Sequence, residues 1–156
     1  LRKAIVDGNI HVEIEASSTN LFTWSDGSSL PTKTGGGYGG NQVNKDKSIT
    51  AFQKVVPTML DKMDNDVEGY SSGLYMLHEV SEAYFGGKIA QRKGIASPRE
   101  GIQGSTYHNA HKMANRIAGG EHTLVTNKIQ YATNPFNKKP LYDVYKYWSR
   151  TAKATN

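Results

Sequence analysis

The sequence contains no cysteine and no long apolar segment, and both absences restrict its chemistry. None of its 156 residues is Cys, which excludes disulfides and thiolate metal ligands. No segment approaches the roughly 18 consecutive apolar residues of a spanning helix, so we expect no membrane span. A charged and then apolar secretion signal does not follow Leu1. We therefore expect residues 1–156 to form a single domain that is excised or processed from a longer protein.

The residues that are present suit a folded, basic domain. Hydrophobic residues make up 37% of the chain and the net charge is +5. A basic balance is compatible with nucleic acid or anionic surfaces as partners. The cations are scattered, however, and Lys138-Lys139 is the longest basic run. Solubility explains such a charge more simply, and we do not expect nucleic acid as a partner.

Hydrophobic periodicity predicts an α+β fold with a few short strands and long Gly-rich loops. Ile10, Val12 and Ile14 alternate with polar residues, which predicts a half-exposed strand. Further strands are predicted at residues 49–56 and 123–132, and helices at 58–63, 73–91 and 106–118. The glycines of residues 35–40 lack the Lys-Ser or Lys-Thr of a phosphate loop. That segment and the loop at 94–104 are expected to wall a cleft.

A last helix is predicted from Pro140 through residue 150. Leu141, Val144, Tyr145 and Trp148 recur at helical spacing and would form one apolar stripe. Because the largest apolar groups share that stripe, we expect the helix to dock on the core. An aromatic and basic surface for nucleic acid is the less favoured interpretation.

The helix at 73–91 is predicted to carry the chemistry. Apolar residues surround it on nearly every side, which predicts burial, yet His78 and Glu82 lie one turn apart among them. Either the two side chains pair with each other, or they are two ligands of a divalent metal. In the metal interpretation, Glu79 is the catalytic general base, because it directly follows the first ligand.

A third ligand is expected from the next helix. His111 borders its apolar face, which Ala110, Met113 and Ala114 help to form, whereas His108 lies on its polar side. We therefore expect His111 to face inward. His108 is predicted to be a surface or substrate-side residue.

The segment Leu77-His78-Glu79-Val80-Ser81-Glu82-Ala83-Tyr84 resembles the active helix of zincin metallopeptidases. It is most similar to compact bacterial effector and toxin domains, in which His-Glu-x-x-His-Ala-Tyr recurs. Here Glu82 replaces the second histidine, a change that the His2Glu zinc set accommodates if His111 is a ligand. The resemblance implies a zincin-like fold, one zinc ion and a protein or peptide substrate. It also implies secretion or delivery from a bacterial cell, and an immunity protein as partner.

Two other functions remain open at this point. Glu79 and Glu82 lie three residues apart and could act as paired carboxylates of a metal-free hydrolase of glycans or cell wall. That interpretation leaves His78 and His111 unexplained. The domain could instead be a non-catalytic interaction module in which the polar helix residues form a structural network.

Overall fold

A three-stranded sheet and a long helix packed on it organise the site. The computed structural model describes residues 7–32, 34–66, 73–118, 122–133 and 140–150. Within them the chain is mixed α+β, as predicted. Its elements are β1 (Ile10–Ala16), β2 (Leu21–Thr23), β3 (Ser29–Pro31), β4 (Gly36–Val43), β5 (Ile49–Val55), α1 (Pro57–Asp66), α2 (Leu74–Lys93), α3 (Tyr107–Ala118), β6 (His122–Thr133) and β7 (Pro140–Arg150).

The central sheet has the strand order β1-β5-β4, with β1 parallel and β4 antiparallel to β5. The strands predicted at Ile10 and at residues 49–56 are confirmed. Strand β5 lies in the middle, and Ile49, Ala51 and Val55 are buried along it. β2 and β3 form a separate antiparallel pair.

The Gly-rich segment is strand β4 rather than a loop, so this part of the prediction is wrong. Its one large side chain, Tyr38, is fully buried, which anchors the strand despite the low β propensity of glycine. The register shifts between Tyr38 and Gly40, and Gly40 has a φ of 85° that favours glycine at this bulge. The bulge brings Asn41 into backbone pairing with Ser97 of the loop 94–104.

Helix α2 is buried along its length, as its sequence predicts. No residue between 74 and 91 is exposed. The helix begins after Gly73, and the Asp64 carboxylate at the end of α1 accepts hydrogen bonds from the N–H groups of Gly73 (2.6 Å) and Tyr75 (3.0 Å). These bonds satisfy donors that a helix start leaves unpaired. None of the described helices is long and apolar enough to cross a bilayer.

The last predicted helix is wrong, because Pro140–Arg150 is strand β7. It pairs antiparallel with β6, so the prediction of a strand at 123–132 is confirmed. Residues 141–148 contain three Tyr, a Trp and a Val, which favour strands more than helices. The long β6 partner supplies the backbone hydrogen bonds, and Pro140 occupies the first strand position, where proline is tolerated. The apolar stripe at helical spacing was therefore misleading.

Candidate metal centre

Three side chains from two helices bring potential ligand atoms together. The Nδ1 atom of His111 lies 2.6 Å from Oε2 of Glu82 and 3.2 Å from Nε2 of His78. The third separation, from His78 Nε2 to Glu82 Oε2, is 3.7 Å. These are the three residues that the sequence suggested as ligands. Together they form a candidate His/Glu/His site.

The helices place the three groups for simple reasons. His78 and Glu82 are four residues apart on α2, so their side chains leave the same face. His111 comes from α3, which packs against α2 and buries Ala110 and Ala114. The Ser105 hydroxyl accepts a hydrogen bond from the Tyr107 N–H at 3.2 Å and caps the start of α3.

The donor set is one that can hold a divalent cation. Without an ion, the contacts of His111 Nδ1 with Glu82 and His78 are hydrogen-bond distances, and the histidine tautomers decide which atom donates. Nδ1 of His78 is buried without a hydrogen-bond partner among the described residues, whether or not Nε2 binds an ion. Two imidazoles and a carboxylate are a common catalytic zinc set, and tetrahedral zinc holds ligand atoms about 3.3 Å apart. The separations of 3.2 and 3.7 Å are near that value, whereas the 2.6 Å between His111 Nδ1 and Glu82 Oε2 is a hydrogen-bond distance that would have to lengthen around an ion.

Glu79 lies deep beside this cluster. Its carboxylate accepts a hydrogen bond from the Gln53 amide, which also contacts Glu82 Oε1 at 3.4 Å. A Cβ atom added to Gly36 of β4 would overlap the Glu79 carboxyl group. Gly36 therefore provides the space that the carboxylate fills, and Gln53 from the central strand links Glu79 and Glu82.

Burial and neighbouring charges shift the pKa values of Glu79 and Glu82 in opposite directions. Burial, reinforced by repulsion from Glu82, raises the pKa of Glu79 well above its usual range. Burial also acts to raise the pKa of Glu82, but the hydrogen bonds with His111 and His78 outweigh it and lower that pKa. Of the two carboxyl groups, Glu79 therefore has the higher pKa and Glu82 the lower.

A cavity of about 300 Å³ opens over the cluster. Glycines 36 and 37 of β4 and Glu100 of the loop 94–104 line it, which confirms the prediction that both segments wall a cleft. Burial first, and the repulsion of Glu82 second, raise the pKa of Glu100 to about 7. Burial and three neighbouring carboxylates raise the pKa of Tyr107, which also lines the cavity.

Several of these residues carried no signal in the sequence. Gln53, Glu100 and Tyr107 stand in ordinary strand, loop and helix contexts, and only the tertiary fold brings them to the cavity. His108 is exposed, as predicted.

Comparison with protein-family models, curated proteins and solved structures finds no match for this chain. The candidate site therefore rests on its own geometry, and the resemblance to zincins rests on the residues of α2 alone.

Proposed function

We propose that this protein is a zinc-dependent hydrolase of the zincin type that cleaves a protein or peptide substrate. The observation that carries the proposal is the convergence of His78, Glu82 and His111 beside the buried Glu79 carboxylate, at the floor of a cavity. The resemblance of α2 to the zincin active helix supports the choice of zinc and of a peptide substrate. An exported effector role and an immunity protein remain predictions that rest on the resemblance alone.

His78 Nε2, Glu82 Oε2 and His111 Nδ1 would hold the ion. A bound divalent ion supplies Lewis-acid chemistry, which polarises a carbonyl and lowers the pKa of water. Glu79 would accept the proton of the attacking water, since the Gln53 amide that contacts both carboxyl groups holds it beside Glu82. The same carboxyl group can then donate that proton to the leaving amine. Gln53 keeps Glu79 oriented through its amide hydrogen bond.

The paired-carboxylate hydrolase is less well supported. In such an enzyme the two carboxyl groups lie on opposite sides of the glycosidic bond that is cleaved. Here the Gln53 amide contacts both Glu79 and Glu82, so the two groups lie next to each other. Glu82 is also engaged by His111. A metal-free hydrolase would leave the two converging imidazoles without a role.

The proposal is tested by metal content and peptide hydrolysis measured on the same preparations. The wild type should bind one zinc ion, seen by elemental analysis, and cleave members of a broad quenched-fluorescent peptide panel. Glu79→Gln should keep the zinc and lose at least about 100-fold in kcat/KM, the size of a typical general-base contribution. His111→Ala should lose both zinc and hydrolysis.

His108→Ala is the matched control, because His108 is an exposed histidine one turn earlier on the same helix. It should retain zinc and activity. Full activity of Glu79→Gln would show that Glu79 is not the base. Zinc binding that is equal in His111→Ala and the wild type would remove His111 from the site.

A further inference from the structure

The cavity over the candidate metal centre is lined by acidic side chains, although the protein is basic. The chain carries a net charge of +5, yet among the described residues that line the cavity there is no Lys or Arg. Three carboxylates line it instead, those of Glu79, Glu82 and Glu100. In the proposed reaction, Glu82 binds the ion and Glu79 accepts the proton of the attacking water. Glu100 has no task in the proposed reaction.

The loop that carries Glu100 is firmly held in place. The Glu100 N–H donates a hydrogen bond to the Tyr38 carbonyl at 3.0 Å. The guanidinium of the preceding Arg99 donates hydrogen bonds to Asp26 at 3.0 Å and to the Ser28 hydroxyl at 2.9 Å, and it lies over the Trp24 ring. The position of Glu100 is therefore set by β4 and by the β2–β3 hairpin before any substrate arrives.

The Glu100 carboxylate itself has no hydrogen-bond partner in the part of the chain that the structure describes. Its nearest cation in sequence, Arg99, donates to the Glu100 carbonyl oxygen at 3.0 Å and to the hairpin instead. Adding a Cβ atom to Gly37 would place it 3.1 Å from Glu100 Oε1, so the carboxylate packs over the bare backbone of β4. A half-buried carboxylate without a donor is costly unless a cation or donor joins it.

We propose that Glu100 is an anionic subsite that binds a positively charged nitrogen of the substrate, an ammonium or guanidinium group, next to the hydrolytic centre. The inference rests on the proposed function and names its substrate class. A cavity of about 300 Å³ is at the small end of ligand pockets. Glu100 and the candidate ligands therefore contact neighbouring parts of the same substrate. The charged nitrogen belongs either to a free amino terminus or to a Lys or Arg side chain close to the cleaved bond.

Two arms of matched peptides distinguish these sources. One arm compares a free amino terminus with its acetylated form, and the other compares Lys with norleucine beside the cleaved bond. A charge-assisted hydrogen bond predicts that the cationic member has a kcat/KM about tenfold higher or more in one arm. The same ratio should appear in the Kd of the peptides for the Glu79→Gln protein, measured by calorimetry without turnover.

Variants at position 100 then test whether Glu100 causes the preference for the cationic peptide. Glu100→Gln should bring the ratio close to one, and Glu100→Asp, which keeps the charge, should retain most of it. Glu13→Gln is the matched control, since Glu13 is exposed on β1 and does not line this cavity. It should leave the ratio unchanged.

Ratios near one in both arms, or a preference that survives in Glu100→Gln, would overturn the subsite while leaving the hydrolase proposal intact. If the wild type binds no zinc and cleaves no peptide, the hydrolase proposal fails. In that case the calorimetric ratio decides the subsite, and equal binding or no binding of all four peptides overturns it.

Discussion

The substitution Gly36→Ala tests the placement of Glu79, the proposed general base, without changing any reactive group. Gly36 and Glu79 meet across the space between β4 and α2. An added Cβ would overlap the Glu79 carboxyl carbon and both its oxygens. To reach even 3.0 Å from this Cβ, the carboxyl group must retreat by about 1 Å, and misplacement of that size can cost about 100-fold in rate.

Backbone strain does not complicate this test. Gly36 is absent from the glycines with positive φ, so alanine fits the local conformation. We expect kcat/KM on the peptide panel to fall by about 100-fold, while overpacking lowers the free energy of unfolding by about 1–3 kcal/mol. Zinc content should remain near one ion, because none of the three candidate ligands is displaced directly.

Gly8→Ala is the control for this substitution. Gly8 has no atom within 4 Å of an added Cβ and no positive φ, so its activity and melting temperature should match the wild type. Wild-type kcat/KM in Gly36→Ala, together with an unchanged melting curve, would refute the placement of Glu79 against β4. A melting curve that shows no folded Gly36→Ala protein would instead mean that the space is needed for folding.

Two further predictions concern the ion and the amide that links the glutamates. Chelation should lower the melting temperature, since zinc at 100 times its Kd stabilises the fold by about 2.7 kcal/mol. Calorimetry checks this, and a similar drop in His111→Ala would argue against that site. Gln53→Leu removes the donor to two buried carboxylates, which should lower the free energy of unfolding by about 1–3 kcal/mol and reduce kcat/KM. Denaturant unfolding with parallel assays tests it, and wild-type values in both would show that the amide is dispensable.

Local pattern was sufficient to predict much of the fold. Alternation around Ile10 identified β1, and the continuous apolar surround of α2 predicted its burial. The last strand was predicted as a helix, because Leu141, Val144, Tyr145 and Trp148 happen to recur at helical spacing. Their β propensity and the pairing with β6 decide the outcome. The Gly-rich segment was predicted as a loop because the contribution of a buried Tyr38 is not visible in a local pattern.

Local pattern likewise predicted some residues of the candidate site and missed others. His78 and Glu82 could be paired from their spacing, and His111 could be chosen over His108 from the faces of one helix. Gln53 and Glu100 could not be found, because strand β5 and the loop 94–104 meet the site helix only in the folded chain. A sequence pattern shows which groups share one element, whereas contacts between elements depend on the whole topology.

The glycine pair in the middle of α2 determines how deep the site lies. A Cβ on Gly86 would overlap the Tyr38 ring and hydroxyl, and one on Gly87 would approach Ile10 Cγ2 to 2.8 Å. The helix therefore lies close to the sheet about one turn beyond Glu82. A larger residue at either position would push the helix away from the sheet and widen the gap between Glu79 and β4. A transfer of the His78 and Glu82 pair to another scaffold would therefore require the two glycines of the helix as well.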